Sequence, residues 1–259
     1  MYLTNYSERA LLNSFLGISW DAPTNVYLGL FLSSPTESGQ DGVEVAYTGY
    51  DRQPIEFTEP KVSGKIVSTN NINHISFVKS PKEVGTITHA GIFDSQAGGN
   101  MLAYAPLTES MSIGTDEAPT ILTGELSLSF SQNFSVEYKK KILNIFRGRS
   151  IAGFTPHMAL FNGDPDSGGA EITGDLYERQ MLSFTTPIEG QTGYSEISLN
   201  TKATFPKPPI EWGLMDHLVI YDAAINGNPV MIKRRPNQIT LKKGHTIILE
   251  SGSVKISVN

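Results

Sequence analysis

The sequence predicts an all-β protein built as two tandem β-sandwich domains, each preceded by a short amphipathic helix. Three observations carry this expectation. A hairpin-like stretch from His89 to Asn100, followed by the apolar run Met101 to Tyr104, returns as His217 to Asn228 followed by Pro229 to Ile232. His89 and His217, like Asp94 and Asp222, are 128 residues apart, so the chain of 259 residues reads as a duplication. The composition, 39% hydrophobic with 24 Gly and 15 Pro, suits a turn-rich β protein. Short alternating apolar runs also recur between turn signals at regular spacing.

In chain order, Ala10, Leu11, Leu12, Phe15 and Leu16 fall at helical spacing between Asn5 and Leu16, and Gly17 supplies a stop. Their counterpart runs from Glu137 to Arg147 through Ile142, Leu143, Ile145 and Phe146, ending at Gly148; its Lys139-Lys140-Lys141 run is expected on a solvated face. Strands follow at Val26 to Leu32 and His157 to Phe161, each running into a proline turn, Ser34-Pro35 and Asp164-Pro165. Then Tyr50-Asp51-Arg52-Gln53 through Phe57 matches Tyr177-Glu178-Arg179-Gln180 through Phe184, read as a strand whose Arg pairs with a carboxylate across a sheet beside a packed Tyr. Short strands begin at Ile75 and Ile197. The final pieces, Thr120 to Phe130 and Ile247 to Ser257, place Gly124 and Gly252 in mid-strand, the position of a bulge. The expected domains are residues 1–132 and 133–259, joined by Ser131-Gln132-Asn133 and therefore in contact as a rigid pair.

Net charge is −6 and the pI about 5.4, so neither nucleic acid nor an anionic membrane is an expected partner. The absence of cysteine removes disulfides, thiolate metal sites and cysteine nucleophiles. The N-terminus lacks a signal-peptide pattern, and no apolar run reaches the roughly 20 residues that span a bilayer, so the chain is expected to be soluble when made. No GxSxG, P-loop or GxGxxG motif is present. His74, His89, His157, His217 and His245 stand in no metal-ligand frame, and His89 and His217 are expected at strand edges; neither metal nor cofactor is expected.

Asp164-Pro165-Asp166 and Asp41-Gly42 lack the spaced ligands of calcium loops. Glu44 with Asp51, or Glu171 with Glu178, are the carboxylate pairs a glycosidase reading would need. Trp20, Trp212, Tyr47 and Tyr194 are the aromatic candidates for stacking on a host glycan. Lys233-Arg234-Arg235 with Lys242-Lys243 is a basic cluster suited to an acidic partner protein. The repeated set Tyr50, Arg52, Gln53, His89, Asp94, Gly99 and Gly124, echoed by Tyr177, Arg179, Gln180, His217, Asp222, Gly227 and Gly252, reads as a structural signature. Gly99 and Gly227 are expected at positive φ, with Asp94 and Asp222 accepting bonds from turn N–H groups.

The ordered motifs Leu30-Phe31 with Pro35, Tyr50, Arg52-Gln53, Thr88-His89, Gly91-Ile92-Phe93-Asp94, Gly98-Gly99-Asn100, Leu102, Tyr104, Gly124, Leu126 and Leu128 resemble a family of small tailed-bacteriophage virion proteins described as tail-fibre or baseplate structural proteins. The second half departs, with Val219, Tyr221 and Asn226-Gly227-Asn228-Pro229, and is similar to a diverged duplicate of the first. The resemblance implies a non-enzymatic virion component: a tail, baseplate or neck adaptor that anchors fibres or bridges assembly layers. Its implied partners are other virion proteins and copies of itself in a ring or trimer. A capsid decoration or head-fibre protein and a glycan-binding host-attachment module are the alternatives.

Overall fold

A computed structural model describes residues 1–130, 133–189 and 194–258. The first half contains β1 (Tyr2–Leu3), α1 (Asn5–Asn13), β2 (Val26–Phe31), β3 (Gln53–Ile55), β4 (Lys61–Ser63), β5 (Ile66–Asn70), β6 (Ile75–Ser76), β7 (Gly85–Phe93), β8 (Met101–Ile113), β9 (Thr120–Ile121) and β10 (Ser127–Phe130). The second contains α2 (Val136–Ile145), β11 (His157–Asn162), β12 (Ala170–Glu171), β13 (Gln180–Met181), β14 (Ile188–Glu189), β15 (Ser195–Ser198), β16 (Ala203–Thr204), β17 (Gly213–Tyr221), β18 (Pro229–Leu241), β19 (Ile248–Leu249) and β20 (Lys255–Val258). Among the described residues the structure is mostly β, with helices α1 and α2 and two short 3-10 turns at Ser14–Leu16 and Pro165–Ser167. Ser131 and Gln132 of the expected joint lie outside the described residues.

Each half has a large antiparallel sheet, ordered β1-β8-β7-β2-β3 in the first and β12-β11-β17-β18 in the second, where β13 also pairs with β11. A small sheet, β10-β5-β4 or β14-β15-β20, faces it, and a two-stranded ladder, β6-β9 or β16-β19, completes the set. The inward residues Leu28, Leu30, Ala90 and Ile92 of the large sheet share a core with Val67, Leu128 and Phe130 of the small one, the arrangement of a sandwich.

The helices do not stay within their own halves. α1 packs on β1 and β8 and also on β15 and β20 of the second half, whereas α2 packs on β18 and also on β5 and β10 of the first. Edge-to-face ring contacts repeat the exchange: Phe15 lies 6.1 Å from Phe184, and the equivalent Phe146 lies 6.2 Å from Phe57. One continuous core therefore runs through both halves, with Leu11, Leu12 and Phe15 of the first leading segment joined to Ile142, Leu143 and Phe146 of the second.

Both leading segments end as expected in left-handed glycines, Gly17 at φ 81° and Gly148 at φ 76°, which only a residue without Cβ adopts cheaply. Three local expectations need correction. Gly124 and Gly252 sit in turns, not in mid-strand, at φ 83° and 75°, angles no extended strand holds. The turns are needed because β9 and β10, like β19 and β20, belong to different sheets. Lys139 is not solvated: it is 4% exposed and its Nζ donates to the Lys65 carbonyl at 2.9 Å. The strands near the Arg-Gln motifs are shorter than expected, and Tyr50, Arg52, Tyr177 and Arg179 all precede them.

Candidate functional site: a duplicated arginine clamp

The residues that recur most faithfully converge on one place in each half, where the loop before β3 or β13 meets the tip of the long hairpin. Arg52 donates from Nε and Nη2 to the two carboxylate oxygens of Glu44, both at 2.8 Å, a bidentate fork. Its third nitrogen, Nη1, donates to the carbonyls of Gly98 at 2.7 Å and Ser95 at 3.3 Å in the hairpin turn. The guanidinium lies over the Phe93 ring, 3.2 Å from its centroid. Arg179 repeats each contact: Glu171 at 2.9 and 2.7 Å, the carbonyls of Asn226 at 2.5 Å and Ala223 at 3.1 Å, and the Tyr221 ring at 3.5 Å.

Tyr50 and Tyr177 close the network from the other side. Each hydroxyl accepts from a strand N–H, Leu30 at 2.9 Å and Leu160 at 3.0 Å, and donates to the clamped carboxylate, Glu44 at 3.5 Å and Glu171 at 3.0 Å. Burial pushes both phenol pKa values far above the ordinary range, so both remain protonated donors. Gln53 and Gln180 hold the loop before the strand by donating to the Asp51 and Glu178 carbonyls at 2.7 and 2.9 Å.

The turn itself has the expected chemistry. Gly99 and Gly227 both sit at φ 69°. Asp94 accepts from the Asn100 N–H at 2.7 Å and Asp222 from the Asn228 N–H at 2.6 Å. A Cβ on either glycine would stand 2.3 or 2.4 Å from that carboxylate, so the turn excludes any side chain for both steric and dihedral reasons. Lys141 of α2 also reaches Asp222 at 3.3 Å, tying the second turn to its helix.

The departures of the second half fall at the strand positions around this turn. In the first half the space beside Gly91 is filled by Met101 and Phe31, whose atoms a Cβ there would meet at 2.9 and 3.1 Å. The equivalent positions are Val219, which is fully buried, and Pro229. The larger residue on the central strand thus goes with a shorter one at the start of the neighbouring strand, where Pro229 pairs with Tyr221.

His89 and His217 are not at strand edges as expected: β7 and β17 are interior strands, with His89 opposite Phe31 and Pro106, and His217 opposite Phe161 and Arg234. Their Nδ1 atoms bond to Thr88 Oγ1 at 2.9 Å and Asp216 Oδ1 at 2.7 Å. Among the described residues, no group of three or more His, Asp or Glu could hold a metal ion. Glu44 and Glu171, one member of each glycosidase pair, are each held in an ion pair by an arginine. Of the four aromatic glycan candidates three are buried, and Tyr194 is half-buried. Trp20 and Trp212 are 3% and 7% exposed, Trp212 donates Nε1–H to the Asp175 carbonyl, and buried Tyr47 bonds the Val78 carbonyl.

The carboxylate partner of each arginine is Glu44 or Glu171, named from the sequence only as members of glycosidase pairs; their equal spacing, eight residues before each Arg, is the signal that links them to it. A family model described as podophage GP4 fiber I protein gp80 matches residues 2–129 and again residues 133–257. No curated protein matches the chain.

Proposed function

The chain belongs to the podophage GP4 fiber I protein gp80 family, and from that premise we propose that it is a non-enzymatic adaptor of the virion that anchors fibres or bridges layers of the tail, neck or baseplate. The family carries the assignment to a phage structural fibre component. The duplicated clamp supports the finer reading: the Tyr, Arg, Glu and Asp groups that recur in both halves bond to one another and to the hairpin backbone, and so serve to hold a loop against a sheet. A doubled domain with two similar but non-identical faces suits a bridge between layers of different symmetry. Other virion proteins and further copies of the chain are its proposed partners.

Localisation within purified particles tests the role. A reconstruction of the virion, supported by gold labelling, is expected to place the chain at the tail, neck or fibre attachment. Density on the capsid shell alone would replace this reading with a decoration or head-fibre role. Absence from washed particles would refute both.

A further inference from the structure

The two repeats differ most in charge. Residues 1–132 hold 6 Lys and Arg against 14 Asp and Glu, net −8, while residues 133–259 hold 14 against 12, net +2. The contrast is sharpest on the outer hairpin strand and the turn after it. From Met101 to Ile121 there are three acids, Glu109, Asp116 and Glu117, and no Lys or Arg. The equivalent span, Pro229 to Leu249, carries Lys233, Arg234, Arg235, Lys242 and Lys243 and no acid.

These side chains are presented to solvent. Glu109, Asp116 and Glu117 are exposed, as are Lys233, Arg234, Lys242 and Lys243, and Arg235 is half-buried. Among the described residues none of the five cations forms an ion pair, and of the three acids only Asp116 does, with exposed Lys79 at 3.3 Å. β8 beyond Tyr104 and β18 beyond Ile232 are also outer strands with no described neighbour on one side. Direct strand pairing there is opposed by Pro106 and Pro236, which remove ladder donors, and by the charges themselves. What the two strands offer is a pair of side-chain surfaces of opposite sign at equivalent places.

We infer that copies of this chain associate head to tail, the acidic β8 surface of one copy against the basic β18 surface of the next. The contact is heterologous, so it generates a ring or a filament according to the rotation it imposes. Opposite charge sets partner orientation and speeds encounter, and like charge opposes acid-on-acid or base-on-base contacts. The inference extends the proposed virion role but is tested apart from it: a chain that stays monomeric alone yet enters particles loses this contact and keeps that role.

Sedimentation velocity on the full chain is the test. At about 0.03 M salt the wild type is expected to self-associate, and its apparent dissociation constant to rise at least about tenfold by 0.5 M, where the Debye length falls to roughly 4 Å. The reversals Lys233→Glu/Arg234→Glu/Arg235→Glu and Glu109→Lys/Asp116→Lys/Glu117→Lys should each give a folded monomer by circular dichroism. An equimolar mixture of the two reversed proteins should associate again, since each then presents a surface opposite to the other's. A monomeric wild type at low salt, association that survives either reversal, or a mixture that remains monomeric overturns the inference. If one reversed protein fails to fold, the salt dependence of the wild type and the other reversal still decide it.

Discussion

Trp20 and Ile151 occupy the same position in the two repeats, and each donates its backbone N–H to the other's carbonyl, at 2.8 and 3.0 Å. Two equivalent residues bonded to each other mark a local two-fold axis. The neighbouring bonds are reciprocal too: Ala22 N–H to Ser150 Oγ at 3.0 Å and Gly153 N–H to Ser19 Oγ at 3.2 Å. The backbones approach so closely that a Cβ on Gly153 would stand 2.1 Å from the Gly17 carbonyl carbon. The duplication is thus arranged as an isologous pair inside one chain, with each helix roofing the other half's small sheet.

The clamp makes Arg and Lys unequal. Lys at position 52 or 179 keeps a charge but loses the fork and the turn carbonyls, so Arg52→Lys and Arg179→Lys should each cost about 2–3 kcal/mol in denaturant unfolding. Amide exchange in the adjoining turn, Ser95 to Asn100 or Ala223 to Asn228, should speed up in the matching variant only. Unchanged protection in both turns would show that the arginine does not hold the hairpin.

Neighbouring glycines separate dihedral cost from steric cost. Gly98 is at φ 62° with open space around a Cβ, whereas Gly99 at φ 69° faces Asp94. Gly98→Ala should cost about 1 kcal/mol from backbone strain alone, and Gly99→Ala about 1–2 kcal/mol more. Thermal unfolding of the two variants compares them directly, and equal losses would mean that the carboxylate moves aside freely.

Glu8 makes stability fall with rising pH. Its side chain is fully buried, Oε2 accepts from the Ser195 N–H at 2.8 Å across the repeat boundary, and Oε1 has no partner among the described residues. Burial pushes its pKa up to about 7. Native protein therefore holds a proton that the unfolded chain, titrating near 4.3, releases; the stabilisation is complete below about pH 4.3 and is lost as pH rises through 7. Glu8→Gln should be neutral at pH 4 and stabilising by on the order of 2 kcal/mol at pH 8. Equal effects at both pH values would show that the carboxyl titrates normally.

Much of this arrangement was legible in the sequence, because helical spacing, turn glycines and the 128-residue echo are local signals. Gly99 and Asp94 could be placed in a turn since a residue at positive φ and a carboxylate capping an N–H need only neighbours. Partners that depend on tertiary approach were not legible. Lys139 sits in a run that looks solvated, yet its equivalent is Glu8, and both reach into the other half, to Lys65 and Ser195. Trp20 reads as a ligand platform until the two repeats meet and its side chain is buried in their shared core. Gly124 reads as a strand residue until the chain is seen to change sheets there.

The exchanged helices and shared core make the two repeats one cooperative unit. Differential scanning calorimetry of the full chain tests it most directly. A single transition whose calorimetric and van't Hoff enthalpies agree within about 10% is the expected result. Two resolved transitions, each carrying about half of the total enthalpy, would contradict it and describe two sandwiches that fold independently.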